Sequence, residues 1–473
     1  EIGAMQNFEK YEIYYPSNME NENKKQLIIL GNGFDLACGL KSSYNDFFEQ
    51  RFEKAKPEKI VNTIQKYKLN NQGSVLNLDA YGLRDQELNT FNTNCYHKTI
   101  ESKHNIIERY YKTTDYEHKI NYFDLLFMAT QVYMDSNDLS SWSNIEQILQ
   151  EILQIIYEEA DGAIFNDKEE LNNKAKELEE KYFNNYDFKS KDAKVNLIKF
   201  ILHIFNKTTV DNKIKKALEQ YEESFGRFIT NEIELNNDKY FQNIQRKLTQ
   251  LTEKEAYVLN FNYSATSLLD DQILETPYLS NPVKEWVNIH GLSRWNGKNR
   301  TKIIHDYIHN NNLKIPRPIF GISKYDENNS RLLGDGDSLY KFTKTKRREE
   351  AFETLGFNPE EEDTKIIDFS SKNKKKEEKV HKETHFTVPS DINLITIFGH
   401  SLGMTDYDYF NDIFHKLNLK GKKVKLEVYY HGNNLPTLKK SLKRILKEYS
   451  NDDLYNDLCN KGLLVFRNDI DME

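Results

Sequence analysis

The segment that most constrains the fold is 25–30 (KQLIIL), a short apolar run stopped by Gly31, Asn32, Gly33, Phe34 and Asp35. Leu36, Ala37 and Leu40 follow at positions that open a helix, so the stretch reads as strand, tight turn and helix. After residue 250 similar short runs return between loops: AYVLNF (256–261), WVNIH (286–290), RPIFG (317–321), NLITIFG (393–399) and VKLEVYYHG (424–432). Most are too short for helices and are candidate strands. Helical patterns recur at 404–417 and in TLKKSLKRILKEY (437–449), where Leu438, Leu442, Ile445, Leu446 and Tyr449 share one face and leave the lysines to solvent. Strands alternating with helices after a glycine turn predict an α/β fold with a mainly parallel sheet.

From about 45 to 250 the texture differs. Apolar residues fall at helical spacing in IEQILQEILQIIYEEA (145–160) and VNLIKFILHIF (195–205), against a background rich in Lys, Glu and Asn. The chain therefore divides into an N-terminal tail (1–24), a sheet domain built from 25–60 and 250–473, and a large helical insertion (61–249). Ser143 and Glu146, in SWSNIEQIL, have the spacing of a capping box, which accounts for Glu146 without any catalytic duty. Residues 324–390, with KTKRREE and SSKNKKKEEK, are highly charged and nearly free of apolar pattern, and are predicted to be a mobile loop.

Composition narrows the function classes. The 473 residues are 38% hydrophobic and 12% aromatic, enough for a sizeable core, and 66 basic against 74 acidic side chains leave a net charge of -8. That balance gives no general attraction for phosphate backbones, and no basic patch dominates, so there is no strong nucleic-acid signal. No apolar run approaches the ~18 residues of a membrane span. Cys38, Cys95 and Cys459 are too scattered for a disulfide framework or a four-cysteine zinc site, which points to the cytoplasm.

Four groups of residues carry chemical content. In the 31–39 turn, GNGFDLACG, glycines after a strand either admit a pyrophosphate to the backbone or serve as a structural turn. Asn262 and Tyr263 end one candidate strand and His290 and Gly291 end another; strand carboxyl ends form the ligand crevice of an open α/β sheet, so these side chains could share a site, or each could simply satisfy loop backbone. A histidine there can exchange a proton near neutrality, and an asparagine can orient a water or a sugar hydroxyl. Gly399, His400, Ser401, Leu402 and Gly403 match the GxSxG nucleophile elbow, but Met404, Thr405 and Asp406 follow where a small residue would help, and no HGGG-type segment is present. The i,i+4 pairs His305/His309 and His381/His385 lack a recognisable third ligand and read as solvated histidines.

The order of these pieces is more informative than any one of them. GNGFDLACGLKSSYNDF, SWSNIE, LNFNYSAT, VNIHG, IFG and FGHSLGMTDYDYF together resemble AbiH-type bacteriophage abortive-infection proteins over most of 25–432. The same pieces are similar to a divergent sirtuin-like, Rossmann-type NAD-binding fold: GNGFDLACGL to its glycine loop, Asn262 to its catalytic asparagine, His290-Gly291 to its HG pair, Phe320-Gly321 to its FG, and Gly399-His400-Ser401-Leu402 to its late GTSL-like turn. The resemblance implies NAD as substrate, with Asn262 and His290 catalytic, and Gly31, Asn32, Gly33, Phe34, Asp35, Tyr263, Gly291, Gly399, His400, Ser401 and Asp406 around the ligand. It departs from deacetylating sirtuins in lacking their four zinc-binding cysteines. Asp35 stands where they carry Ser or Thr, leaving it either a ribose ligand or a helix cap. The implied activity is that of an NAD glycohydrolase that depletes the cofactor in infected cells. A non-catalytic nucleotide sensor and a nuclease-type effector are the alternatives, and a phage-derived trigger, a partner protein and self-assembly stay open.

Overall fold

The computed structural model describes residues 25–52, 122–136, 142–160, 167–205, 211–253, 255–264, 283–293, 316–326, 331–354, 388–450 and 453–469, with a few isolated positions between them. Six strands form the main sheet: β1 (Lys25–Leu30), β2 (Glu255–Asn260), β3 (Val283–Asn288), β4 (Ile392–Phe398), β5 (Lys425–Tyr430) and β6 (Leu464–Asn468). They lie in the order β3-β2-β1-β4-β5-β6, every neighbouring pair parallel. This is the strand order of the doubly wound dinucleotide-binding fold, with its topological switch point between β1 and β4. The α/β fold with a parallel sheet is as the sequence indicated. Two strand assignments change. RPIFG joins no ladder, since Pro316 and Pro318 lack the N–H groups that pairing needs. The edge strand β6 is added.

Both faces of the sheet are covered, which is why β1 reads as an unbroken apolar run. Leu27 and Ile29 face a layer made by α9 (Tyr407–Leu417), α10 (Leu435–Ser450) and α11 (Leu454–Asn460), sharing a core with Phe410, Ile413, Leu442 and Leu446. Ile28 and Leu30 face the opposite way, into a core shared with the helices between β1 and β2. Those helices are α1 (Asn32–Ala37), α2 (Tyr44–Phe52), α3 (Tyr122–Tyr133), α4 (Trp142–Gln154), α5 (Lys168–Glu179), α6 (Ala193–Phe205) and the 41-residue α7 (Asp211–Leu251). Each fully buried Leu, Ile or Phe contributes roughly 1.5–3 kcal/mol, so both layers are strongly held. Gln26 is the polar exception on β1: its amide donates to the Leu251 carbonyl and Thr396 Oγ1 and accepts from the Glu253 N–H, locking the end of α7 to the sheet.

The charged segment after 324 is not a loop throughout. Residues 344–354 form α8 (Lys344–Thr354), whose Lys344, Arg347 and Arg348 are buried. The pattern looked unstructured because its burial is electrostatic rather than apolar: Arg347 forms a bidentate pair with Glu222 of α7 and also donates to the Phe320 carbonyl. Residues 355–387, the tail 1–24, Cys95 and both histidine pairs lie outside the described residues. Cys38 and Cys459 are free thiols. Among the described residues no helix is long and apolar enough to cross a membrane.

Strand register brings the carboxyl ends together. Leu30 pairs with Asn260 and Phe398, Asn260 with Asn288, and Phe398 with Tyr429. At the switch point the turns after β1 and β4 touch backbone to backbone. Gly31 N–H donates to the Phe398 carbonyl at 2.9 Å and Gly33 N–H to the Gly399 carbonyl at 2.8 Å. A Cβ on Gly31 would stand 2.4 Å from His400 Cα, and one on Gly399, whose φ is +69°, 2.2 Å from the Phe34 nitrogen. Gly399→Ala is therefore expected to cost several kcal/mol, on the order of the largest single-site losses. Gly432→Ala, at φ +52° with open space around it, should cost only the ~1–2 kcal/mol of a left-handed residue; urea denaturation of both compares them.

Candidate functional site

The strand ends open into a cavity of about 540 Å³, within the usual range for small-molecule sites. Eleven of the thirteen residues singled out from the sequence line it: Gly31, Asn32, Gly33, Asp35, Asn262, Tyr263, His290, Gly399, His400, Ser401 and Asp406. The other two do not. Phe34 is core, its ring edge-on to Phe398 at 5.9 Å, because the first turn of α1 points it under the sheet. Gly291 shapes the turn after β3: φ is +84°, and a Cβ would meet the Arg317 carbonyl at 2.1 Å. It allows 316–319 to pass close behind His290, whose carbonyl accepts from Ile319 N–H at 2.8 Å.

Asp406 is the electrostatic centre. Its Oδ1 accepts from Lys344 Nζ at 2.6 Å, and the same ammonium reaches Glu146 Oε2 at 2.7 Å. His290 Nε2 lies 3.4 Å from Oδ1 and His400 Nε2 3.4 Å from Oδ2. Burial opposes ionisation of Asp406, but Lys344 and the two imidazoles hold its carboxyl well below the ordinary carboxylate range. Burial acts unopposed enough on Glu146 to push it up to about 7, with Lys344 pulling down and Asp406 pushing up. Lys344 stays charged: burial lowers it, Asp406 and Glu146 more than restore it.

His290 is neutral over most of the pH range. Burial lowers its pKa to about 4, Lys344 adds to the effect and Asp406 opposes it. Its ring stands edge-on to Phe261 at 5.3 Å and near Tyr409 at 5.7 Å, in an apolar collar. The Asp406 contact falls short of an aligned hydrogen bond, so Nε2 is a buried polar atom with no hydrogen-bond partner among the described residues, its nearest acceptor being Asp406 Oδ1 at 3.4 Å. His400 differs: Nδ1 accepts the Leu402 N–H at 2.9 Å, which puts its ring proton on Nε2, facing Asp406.

Asn262 is tied to the glycine turn, its Nδ2 donating to the Gly31 carbonyl at 2.9 Å. Asp35 caps no helix; it accepts from Tyr240 Oη at 2.8 Å and from Ser264 Oγ, and burial raises its pKa to about 6 against those two bonds. Tyr263 donates to the Ile319 carbonyl at 3.4 Å. Ser401 is exposed, and the left-handed residues of the GxSxG turn are Gly399, at φ +69°, and Leu402, at φ +56°, not the serine. A nucleophile elbow strains the serine itself, so this turn is not one. The Gly31 and Gly33 amides are spent on the Phe398 and Gly399 carbonyls, which is, of the two roles the sequence left open, that of a structural turn.

Residues 27–430 match the family described as bacteriophage abortive infection AbiH. The chain belongs to the AbiH family. No curated protein matches it in sequence. The match spans β1 to the end of β5 and so includes every cavity residue discussed above, and it carries a role in abortive infection by phage.

In this AbiH-family chain sequence reasoning missed Glu146, Lys344, Lys247 and Phe261. The bounds of α4 put Ser143 within the helix, and Glu146 lines the cavity. Lys344→Met should lose about 3–5 kcal/mol, because it strands two buried carboxylates. Folding raises the Glu146 pKa from 4.5 to about 7. Its contribution to stability is thus full below pH 4.5 and lost as pH rises through 7. Glu146→Gln removes that slope, and chemical denaturation at pH 5 and 7.5 reads both effects.

Proposed function

We infer that this AbiH-family chain is an abortive-infection effector that binds NAD and cleaves its nicotinamide–ribose bond, depleting the cofactor in infected cells. The observation that carries the reading is His290: a buried, neutral imidazole whose Nε2 lacks an aligned partner, beside an ionised Asp406, on the wall of a switch-point cavity. Dinucleotides bind at such switch points, and unpartnered buried polar atoms in clefts mark sites that a ligand completes. The ordered motifs, by their resemblance to those of sirtuin-like NAD-binding proteins, favour the same ligand.

The chemistry suits the residues. When the glycosidic bond breaks, nicotinamide leaves with the bonding electron pair as a neutral base, so no general acid is required, and positive charge builds on the ribose as in glycoside hydrolysis. Asp406 and Glu146 supply negative potential where that charge develops. Water then bonds to the anomeric carbon and gives its proton to His290 Nε2, and Asp406 stabilises the resulting imidazolium. The Asn262 side-chain Oδ1, which accepts no hydrogen bond among the described residues while its NH₂ holds the Gly31 carbonyl, would accept from that water or a ribose hydroxyl. Lys344 keeps Asp406 charged throughout.

A second reading, a non-catalytic nucleotide sensor, is favoured by one feature: Asn262 commits its amide to the glycine turn. Nicotinamide release from NAD, followed by chromatography, separates the two. His290→Ala is expected to reduce it by about 10²- to 10⁴-fold, and an active assembly that leaves NAD intact would remove the enzymatic reading. The rate profile should show an acid limb near pH 4, where His290 protonates, and a second inflection near 7 from Glu146. Glu146→Gln should abolish the second and leave the first.

A further inference from the structure

The cavity is lined by four carboxylates, Asp35, Glu146, Asp406 and Asp469, and two ammonium groups, Lys247 and Lys344. Lys344 is fully engaged by Glu146 and Asp406. Lys247 is not. It projects from the last turns of α7, is only 5% exposed, and has neither a hydrogen bond nor an ion pair among the described residues. Its one close polar contact is with an aromatic face: Nζ stands 5.8 Å from the centre of the Phe398 ring. A cation–π contact of that length is a weak partner for an ammonium. The side chain is largely buried but its ammonium is not fully enclosed, so it opens on the cavity it lines, where a ligand of opposite charge can complete it.

Position gives the ligand its chemistry. Phe398 ends β4, and its carbonyl accepts the Gly31 N–H, so Lys247 stands at the split between β1 and β4. In doubly wound folds this is where the phosphates of a nucleotide lie, usually held by the glycine-turn amides. Here the Gly31 and Gly33 amides are consumed by the Phe398 and Gly399 carbonyls. The negative charge of such a ligand must be met by another group, and Lys247 is the cavity's uncommitted cation among the described residues. The Asp406, Glu146 and His290 cluster is the opposite pole, favouring the neutral or cationic part of the ligand.

We propose that Lys247 is the anion-binding residue of the cavity, receiving the phosphate or pyrophosphate of a nucleotide and so orienting its sugar–base end toward His290 and Asp406. The proposal rests on the cavity being a nucleotide site, but not on NAD cleavage. It is tested by calorimetric titration of the full chain with ADP and with adenosine, for wild type, Lys247→Met and Lys247→Arg. Wild type should bind ADP at least about tenfold more tightly than adenosine, the scale of one charge-assisted hydrogen bond. Lys247→Met should lose that margin with adenosine affinity unchanged, and Lys247→Arg should keep part of it. The margin in wild type should also shrink with added NaCl, a readout that needs no variant to fold. Equal binding of ADP and adenosine by wild type, absence of ADP binding, or an undiminished margin in Lys247→Met overturns the proposal. A chain that binds ADP through Lys247 yet leaves NAD intact keeps this site and refutes the glycohydrolase; one that cleaves NAD with the same KM after Lys247→Met does the reverse.

Discussion

Two backbones in contact hold the site together. Where the sheet divides between β1 and β4, the Gly31–Gly33 turn lies against Gly399 and His400 so closely that a single methyl group on Gly31, Gly33 or Gly399 would overlap backbone atoms. Hydrogen bonds from Gly31 and Gly33 to the β4 turn fix the approach, and the Asn262 carboxamide fastens the turn to β2 through the Gly31 carbonyl. Gly31, Gly33, Gly399, His400 and Asn262 take their places in the cavity wall from this junction. The glycines therefore serve packing rather than direct phosphate contact, and the task of meeting a ligand's negative charge passes to side chains.

Charge is distributed across the cavity in a way that the junction makes possible. Glu146 comes from the helical layer between β1 and β2, Lys344 from the charged helix before β4, and Asp406 from the turn entering α9; the Lys344 ammonium joins the two carboxylates. Such a network is costly to bury and costlier to break, since losing the cation leaves two carboxylates desolvated. It also decides what the histidines can do. Asp406 is kept ionised, His290 is kept neutral, and their separation in proton affinity is the condition for a base that is free at physiological pH.

Much of this was legible in the sequence, for reasons that can be stated residue by residue. LIIL in β1 and the Leu394, Ile395, Ile397 and Phe398 of β4 are apolar on both faces because both faces of a parallel sheet are covered. The one-sided pattern of Leu438, Leu442, Ile445 and Leu446 reported a helix with one buried face. Asn262 and His290 could be grouped because they follow strand runs, and strand carboxyl ends in this topology share one edge; His400 joined them through the family resemblance. What misled was local pattern with more than one cause. Ser143 and Glu146 keep capping-box spacing inside a helix that has already begun, and KTKRREE looks like solvated chain because its burial depends on Glu146, Glu222 and Asp406 from distant segments.

By itself, then, the sequence determined the alternation of strands and helices, the glycine turn after the first strand, and which imidazoles and carboxamides end up at strand ends, because these follow from hydrophobic period and short-range turn chemistry. Only the tertiary structure decided the charge on those groups and the partners they keep. Proton affinity depends on desolvation and on neighbours at a few ångströms, and Lys344, Glu146 and Asp406 become neighbours solely through the packing of α4, α8 and the α9 turn over the open edge of the sheet. The same holds for Lys247, whose lack of a partner among the described residues is a property of where α7 ends and not of any residue beside it in the chain.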